Sequence, residues 1–348
     1  MKKTISIILC LVLLSSLFVG CGGKKETAPK ADGKLTIRIA TSNSNNPNHP
    51  SIAHLLKFKE EMEKRLGDKV QVRIFYGGQL GKSANDVIGG LQHGSFEMAT
   101  WALGNFGEYS KAFDLMDVPY LFLNQDVVYK FVDGPMGQEM KDRLLKDTNI
   151  MLLAYTPLGF RHFTTGKKEI SAPDDLKGLK IRTMTSKLQM AGVKQLGAAP
   201  TPIPYSEVFT SLQQGVIDGQ ENPIMNIYDS KFYEVQKFMT FTNHNYTFTS
   251  LLMNKKFFDS LAPDVQKAIM ESNAIADKQA RKTLADKEDE MLKKLAEKMK
   301  ITKLSTEDLK KFRDVAKGSW TEAKSVIGEA TFNKAVTEVE KIEKQLGL

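Results

Sequence analysis

Apolar positions along this chain recur in two rhythms, and the changes of rhythm lay out its elements. Leu35, Ile37 and Ile39 alternate, which predicts a half-buried strand over 34–40. A loop crowded with Asn, Ser and Pro follows over 41–50. Ile52, Leu55, Leu56, Met62 and Leu66 then recur at helical spacing, and Gly67 supplies a stop. Val70, Val72 and Ile74 return to the strand period. Gly77, Gly78 and Gly81 mark a loop, Val87, Ile88 and Leu91 predict a helix ended by Gly94, and 96–101 is a third strand. Strand and helix alternating in this order predict a parallel α/β lobe. Ligands of such sheets sit beyond the carboxyl ends of the strands, so the loops at 41–50, 76–83 and 101–106 are its candidate rim.

A helical stretch to about residue 146 and an apolar strand at 149–155 lead to Pro157. Beyond it the pattern restarts, with strands near 179–183 and 216–218 and helices at 186–196 and 206–214. Ser206 is placed to cap the second of these helices, and Glu207 suits its first turn. A strand at 246–253 carries the chain back to the first lobe. From Pro263 to Met299 there is no internal Pro or Gly, and Val265, Ile269, Ala276 and Leu284 keep helical phase. A continuous helix there would reach roughly 50 Å at about 1.5 Å per residue, long enough to lie along both lobes. Two helices with an unmarked break are the alternative. A short strand at 301–304 and two more helices complete the chain. Its 348 residues, 41% of them apolar, suit two domains. The division expected is 34–156 with about 247–285 in lobe I, and 157–246 with about 286–348 in lobe II.

The first twenty residues follow neither rhythm. Lys2 and Lys3 precede an almost unbroken apolar run over 5–19, too short for a membrane span and suited to a signal peptide. It ends Leu17-Phe18-Val19-Gly20-Cys21. A small residue before a cysteine at that point resembles the lipobox of bacterial lipoproteins, with Phe18 where Leu is preferred. Cys21 is then the lipidation site and 21–33, rich in Gly, Lys and Ala, a tether. An ordinary signal peptide with a chance cysteine is the other reading. With residues 1–20 removed, Cys21 is the sole cysteine, which leaves no disulfide, cysteine metal cluster or thiol nucleophile. The expected location is the periplasm or the outer face of the cell membrane, by a lipid anchor.

Charge and motifs narrow the function. The net charge of +8 comes from mixed charges, with no basic block longer than a Lys-Lys pair, which argues against nucleic-acid binding. The histidines His49, His54, His93, His162 and His244 show no HExxH spacing, and there is no GxSxG, P-loop or GxGxxG motif. No catalytic set, metal site or cofactor is therefore expected. Arg161 and Arg182 lie just beyond apolar segments, near strand ends. A guanidinium is always charged and offers a planar fork that matches a carboxylate. Partly desolvated, it needs a negative partner, which is either a bound ligand or an Asp or Glu of the protein. Spacing does not separate the two.

The strings Gly159-Phe160-Arg161-His162-Phe163, Leu176-Lys177-Gly178-Leu179-Lys180-Ile181-Arg182, Pro200-Thr201-Pro202-Ile203-Pro204-Tyr205-Ser206-Glu207-Val208 and Val216-Ile217-Asp218-Gly219-Gln220-Glu221-Asn222-Pro223 occur in that order. Together they resemble the signature region of the solute-binding proteins of tripartite ATP-independent periplasmic (TRAP) transporters, the DctP family. The resemblance implies a two-lobe periplasmic-binding-protein-like α/β fold, with crossing strands and a long C-terminal helix spanning both lobes. It implies a small organic-acid ligand between the lobes and TRAP membrane permease subunits as partners of a monomer. Arg182 would make a bidentate salt bridge to the ligand carboxylate, with Arg161 assisting and Asn222 hydrogen-bonding the same group. Tyr205 would pack over the ligand, and His244 matches a position that contributes in some members. Trp101 and Asn105 lie near positions that tune ligand choice, although a buried Trp also serves as packing. Glu221 would oppose an anionic ligand and is expected to serve the turn or the neighbouring arginine. A binding protein for an ABC importer and a ligand-presenting module for a sensor kinase are the alternatives.

Overall fold

The structure is a computed structural model that describes residues 30–31 and 34–348. The expected signal peptide, Cys21 and most of the tether lie outside the described residues. β1 (Lys30–Ala31) pairs antiparallel with the start of β2 (Lys34–Thr41). α1 (Pro50–Leu66), β3 (Val70–Phe75), α2 (Ala84–His93) and β4 (Met98–Ala102) follow, and β3 and β4 flank β2 in parallel. Local chemistry sets the limits of these helices. Pro50 opens α1 and Gly67 closes it. Ser83 and Asp86 form a reciprocal capping box on α2, and Gly94 ends it in the left-handed region.

The stretch expected as one helix to about 146 is two, α3 (Gln125–Asp133) and α4 (Pro135–Thr148). Pro135 cannot donate the hydrogen bond that would continue α3, but it starts α4 well. β5 (Ile150–Thr165) runs for 16 residues straight through Pro157 instead of stopping before it. A register shift against β10 (Tyr246–Asn254) absorbs the proline region, the kind of site where a strand tolerates Pro. Between them lie β6 (Lys180–Thr183), α5 (Lys187–Gln195), β7 (Ala199–Pro202), α6 (Val208–Gln213), β8 (Gly219–Pro223), α7 (Ile224–Asp229) and β9 (Phe238–Phe241). Ser206 does not cap a helix. Tyr205–Glu207 forms a separate 3-10 turn, and α6 starts after it without a side-chain cap. The short strands β7 and β9 carry no alternation long enough to read.

The sheet order is β1-β2-β4-β10-β5-β8-β6-β7, with β3 on β2 and β9 on β5. β10 pairs antiparallel with both β4 and β5, while the far half of β5 pairs with β8 and β9. β5 thus belongs to both halves of the sheet and crosses between two lobes. The first-lobe sheet is parallel only over β2, β3 and β4; the two crossing strands make it mixed.

After α8 (Lys255–Ser260), α9 (Pro263–Ala296) is one unbroken helix of 34 residues, about 50 Å long. Its first half sends Ala268, Ile269 and Ala276 into a core with Ile37, Ile52 and Phe58, and its second half sends Leu284, Met291 and Leu295 into a core with Val208 and Ile227. One helix therefore stitches both lobes together. β11 (Lys300–Lys303) joins β9 in parallel. Three helices, not two, complete the chain: α10 (Thr306–Ala316), α11 (Trp320–Ile327) and α12 (Glu329–Leu346). α12 buries Phe332, Ala335 and Val339 against the cluster that holds Val128 and Phe131 of α3.

Candidate ligand-binding site

A cavity opens where the crossing strands meet the ends of β4, β6 and β8. Its lining includes Trp101, Asn105, Arg161, Arg182, Tyr205 and Asn222. The bulge between β5 and β10 shapes its floor. Thr247 pairs with Gly159 but Phe248 pairs with Pro157, so Leu158 is left over and lines the cavity. Gly159 sits at φ 101°, and a Cβ there would come within 2.7 Å of the Glu288 carboxylate on α9. Only glycine suits both conditions.

Arg161, on β5, is 1% exposed and fully engaged. Its Nε donates to one oxygen of the Glu221 carboxylate and its Nη2 to the other at 2.8 Å. Nη2 also donates to the Glu221 carbonyl, and Nη1 to Thr247 Oγ1 at 3.0 Å. Glu221 accepts a further bond from His244 Nε2 at 3.0 Å. An ionised carboxylate only accepts, so that nitrogen carries the proton, and Nδ1 is free to accept from the Thr242 hydroxyl at 2.8 Å. Burial works against the charge on Glu221, but Arg161 and His244 outweigh it and hold its pKa below the usual carboxylate range. Burial pushes His244 down more than Glu221 pulls it up, consistent with a neutral ring.

Arg182, on β6, is 3% exposed and differently placed. Its Nε donates to the Ile203 carbonyl at 2.9 Å, while its Nη1 is buried without a hydrogen-bond partner. Among the described residues it forms no salt bridge, since both oxygens of the Glu221 carboxylate are taken by Arg161. The Tyr205 ring lies beneath it, 5.9 Å from guanidinium carbon to ring centre. Burial pushes its pKa down to about 10 and Arg161 adds to this, while Glu221 and Tyr205 push back. It remains a cation at neutral pH.

The other expected residues divide. Asn222 is buried at the cavity, its amide donating to Gln220 and accepting from Asn226 at 3.2 Å. Tyr205 is half-buried and its hydroxyl is held by Ser230 at 2.6 Å. Trp101 both lines the cavity and packs into the first-lobe core. His244 does not line it; it stands behind Glu221. Sequence reasoning passed over Asn226 and Thr247, which also line the cavity, and did not single out Asn43. Asn43 lies in the 41–50 loop, and position at a strand end was the signal that pointed there.

The cleft is latched from both sides. Ser44 and Asn46 donate to the Asp229 carboxylate at 2.9 and 2.8 Å, and His49 meets Asn226 at 3.1 Å. Thr185 donates to Asn105 at 3.1 Å. The family model described as "Bacterial extracellular solute-binding protein, family 7" (DctP) matches residues 41–325. This chain belongs to the DctP family. Among its relatives, the 2,3-diketo-L-gulonate-binding periplasmic protein YiaO of Escherichia coli is 34% identical over 286 residues, 82% of this chain and 86% of the relative. The C4-dicarboxylate-binding periplasmic protein DctP of Rhodobacter capsulatus is 34% identical over 252 residues, 70% of this chain and 75% of the relative. The crystal structure of the sugar acid binding protein DctPAm of Advenella mimigardefordensis, in complex with galactonate, superposes with a TM-score of 0.85 at 32% identity. That match covers 91% of this chain and 100% of the other. A TRAP periplasmic solute-binding protein of Sulfurospirillum deleyianum with bound succinate gives a TM-score of 0.82 at 31% identity, covering 86% and 97%. The DctP fold and the two-lobe architecture described above are thus the same.

Proposed function

We propose that this chain captures a small organic acid in its interlobe cleft and delivers it to the membrane permease of a TRAP transporter. The observation that carries the reading is Arg182, a buried guanidinium at the cavity wall with an unpartnered N–H group and no carboxylate of its own. Among the described residues no Asp or Glu lines the cavity to compete for it. A ligand carboxylate would supply both the countercharge and the missing acceptor. Asn222 and Trp101 line the same cavity, and the Tyr205 ring packs under the guanidinium. Arg161 adds positive potential while Glu221 and His244 hold it in place. The relatives named above bind diketogulonate, galactonate and succinate, all carboxylates, which supports the reading.

Transfer to a permease follows from closure. A ligand that touches both lobes stabilises the latched state by its differential contacts, and a membrane partner can read that state. Among the described residues no helix is long and apolar enough to cross a membrane. In this reading Cys21 carries the lipid that keeps a monomeric binding protein at the membrane surface. Mass spectrometry of the membrane fraction tests this, and an unmodified Cys21 there would refute it.

The main test is a thermal-shift screen of carboxylic acids, since a ligand selective for the native state raises the melting temperature. Calorimetry on Arg182→Ala follows. The expected result is an affinity loss of at least about tenfold with the fold intact, from about 1.5–3 kcal/mol for hydrogen bonds to a charged group. Unchanged affinity for the identified acid would remove Arg182 from the site.

A further inference from the structure

We infer that the ligand is a hydroxylated monocarboxylate of the sugar-acid kind and not a dicarboxylate; this rests on the reading of Arg182 as carboxylate anchor. The inference comes from what faces that anchor. Across the cavity the 41–50 loop presents Asn43, which is 7% exposed. Its hydrogen bonds among the described residues run through its backbone alone: its N–H donates to Thr41 Oγ1 at 3.2 Å, and its carbonyl accepts from Gly77 at 2.9 Å. Asn43 lines the cavity, and among the described residues its side-chain amide has no hydrogen-bond partner.

A primary amide both donates and accepts. Its NH2 group could donate to a second carboxylate, but that anion offers no donor to its oxygen. A ligand hydroxyl, itself donor and acceptor, satisfies both ends. Asn105 adds a donor: its oxygen is already taken by the Thr185 hydroxyl at 3.1 Å, which leaves its NH2 group for a ligand. Its Nδ2 meets only the Met184 sulfur at 3.8 Å, a weak acceptor that a ligand oxygen would replace with gain. Ser42 adds a hydroxyl to the same wall.

A second carboxylate is held most strongly by a second buried cation with free valence. The cavity's cations are Arg161, Arg182 and Lys82. Arg161 is occupied by Glu221 and Thr247. Lys82 is exposed, where water and salt screen it. The wall facing Arg182 is therefore neutral and rich in groups that pair with hydroxyls. A ligand lacking hydroxyls would leave those groups unpaired, which is the strong form of discrimination. The cavity measures about 90 Å³, and roughly 10–15 Å³ holds one water, so the ligand is small.

Calorimetry on the mature chain tests this, with L-threonate, D-gluconate and D-glucuronate set against succinate and L-malate. At least one of the first three is expected to bind at least about tenfold tighter than either dicarboxylate. Asn43→Leu is expected to weaken that acid by about tenfold or more and to change succinate less than about threefold. Lys82→Met is expected to leave the preferred acid within about threefold. A dicarboxylate ranked first overturns the inference, as does a Lys82→Met loss equal to that of Asn43→Leu. The ranking is read on the unaltered chain, so it stands even if a variant folds poorly. If succinate ranks first and Arg182→Ala weakens it, the inference falls and the carboxylate reading survives. If Arg182→Ala changes nothing, the underlying reading falls.

Discussion

Arg161 and Arg182 stand on the same half of one sheet, both almost wholly buried, in opposite electrostatic conditions. Arg161 is surrounded by acceptors: a bidentate carboxylate, a backbone carbonyl and a threonine hydroxyl. Arg182 has one carbonyl, an aromatic face and, among the described residues, a buried N–H group without an acceptor. Removing a charge from water costs several kcal/mol, and a partner must offset it. Where the protein supplies that partner, the arginine is part of the scaffold. Arg182 has no such partner among the described residues, and in the proposed reading a ligand carboxylate would supply it. The charge of Arg161 adds to the cost of leaving Arg182 unpaired, and Glu221 offsets part of it.

This contrast is open to direct attack. The largest effect is expected from Glu221→Gln, which leaves Arg161 buried without its anion. Stability should fall by about 3–5 kcal/mol in urea unfolding. An unchanged midpoint would erase the distinction between the two arginines. Arg182→Met is the mirror experiment. It should cost at least about tenfold in ligand affinity, yet leave the ligand-free protein as stable as before or more so, because a buried unpaired charge is gone. A stability loss as deep as that of Glu221→Gln would show that Arg182 has a structural partner after all.

His162, beside Arg161 on β5, tests the same region through pH. Burial, with His244 and Arg161 adding to it, pushes its pKa down to about 3. The folded value lies below the ordinary one, so protonation favours the unfolded chain. Its contribution is complete above about pH 6.5 and is lost as pH falls from there toward the folded value. Between pH 6.5 and 5.5 the loss is about 1 kcal/mol, and His162→Phe should remove that part of the decline. An identical acid limb in both proteins would contradict the burial of an unprotonated His162. The smallest effect concerns closure. Asp229→Asn weakens the latch to Ser44 and Asn46 without touching the cavity wall. Ligand affinity should fall about two- to fivefold, within the ~0.5–1.5 kcal/mol of one hydrogen bond, with scattering showing a more open ligand-free form. No change in either would remove the latch from the mechanism.

Much of this molecule was legible in short-range pattern. The alternation at Leu35, Ile37 and Ile39 and the helical spacing of Ile52 to Leu66 name β2 and α1 almost to the residue. The absence of Pro and Gly after Pro263 favoured a long helix, and α9 is unbroken. The break at Gly134-Pro135 was equally readable and was overlooked. Other features were hidden because distant groups decide them. Pro157 stays inside β5 because β10 shifts register to accommodate it. Ser206 does not cap because it lies inside the 3-10 turn Tyr205–Glu207, where the Tyr205 hydroxyl is held by Ser230 at the end of α7.

The amino-acid order by itself determined the longer elements and the two-lobe class, because these depend on residues a few positions apart. It placed Arg161 near a strand end, whereas β5 runs past it to Thr165. It did not determine which arginine was free. Glu221 lies 60 positions from Arg161, and only the pairing of β5 with β8 brings the two together. A buried charge is defined by everything that surrounds it, and those surroundings exist only once the chain has folded.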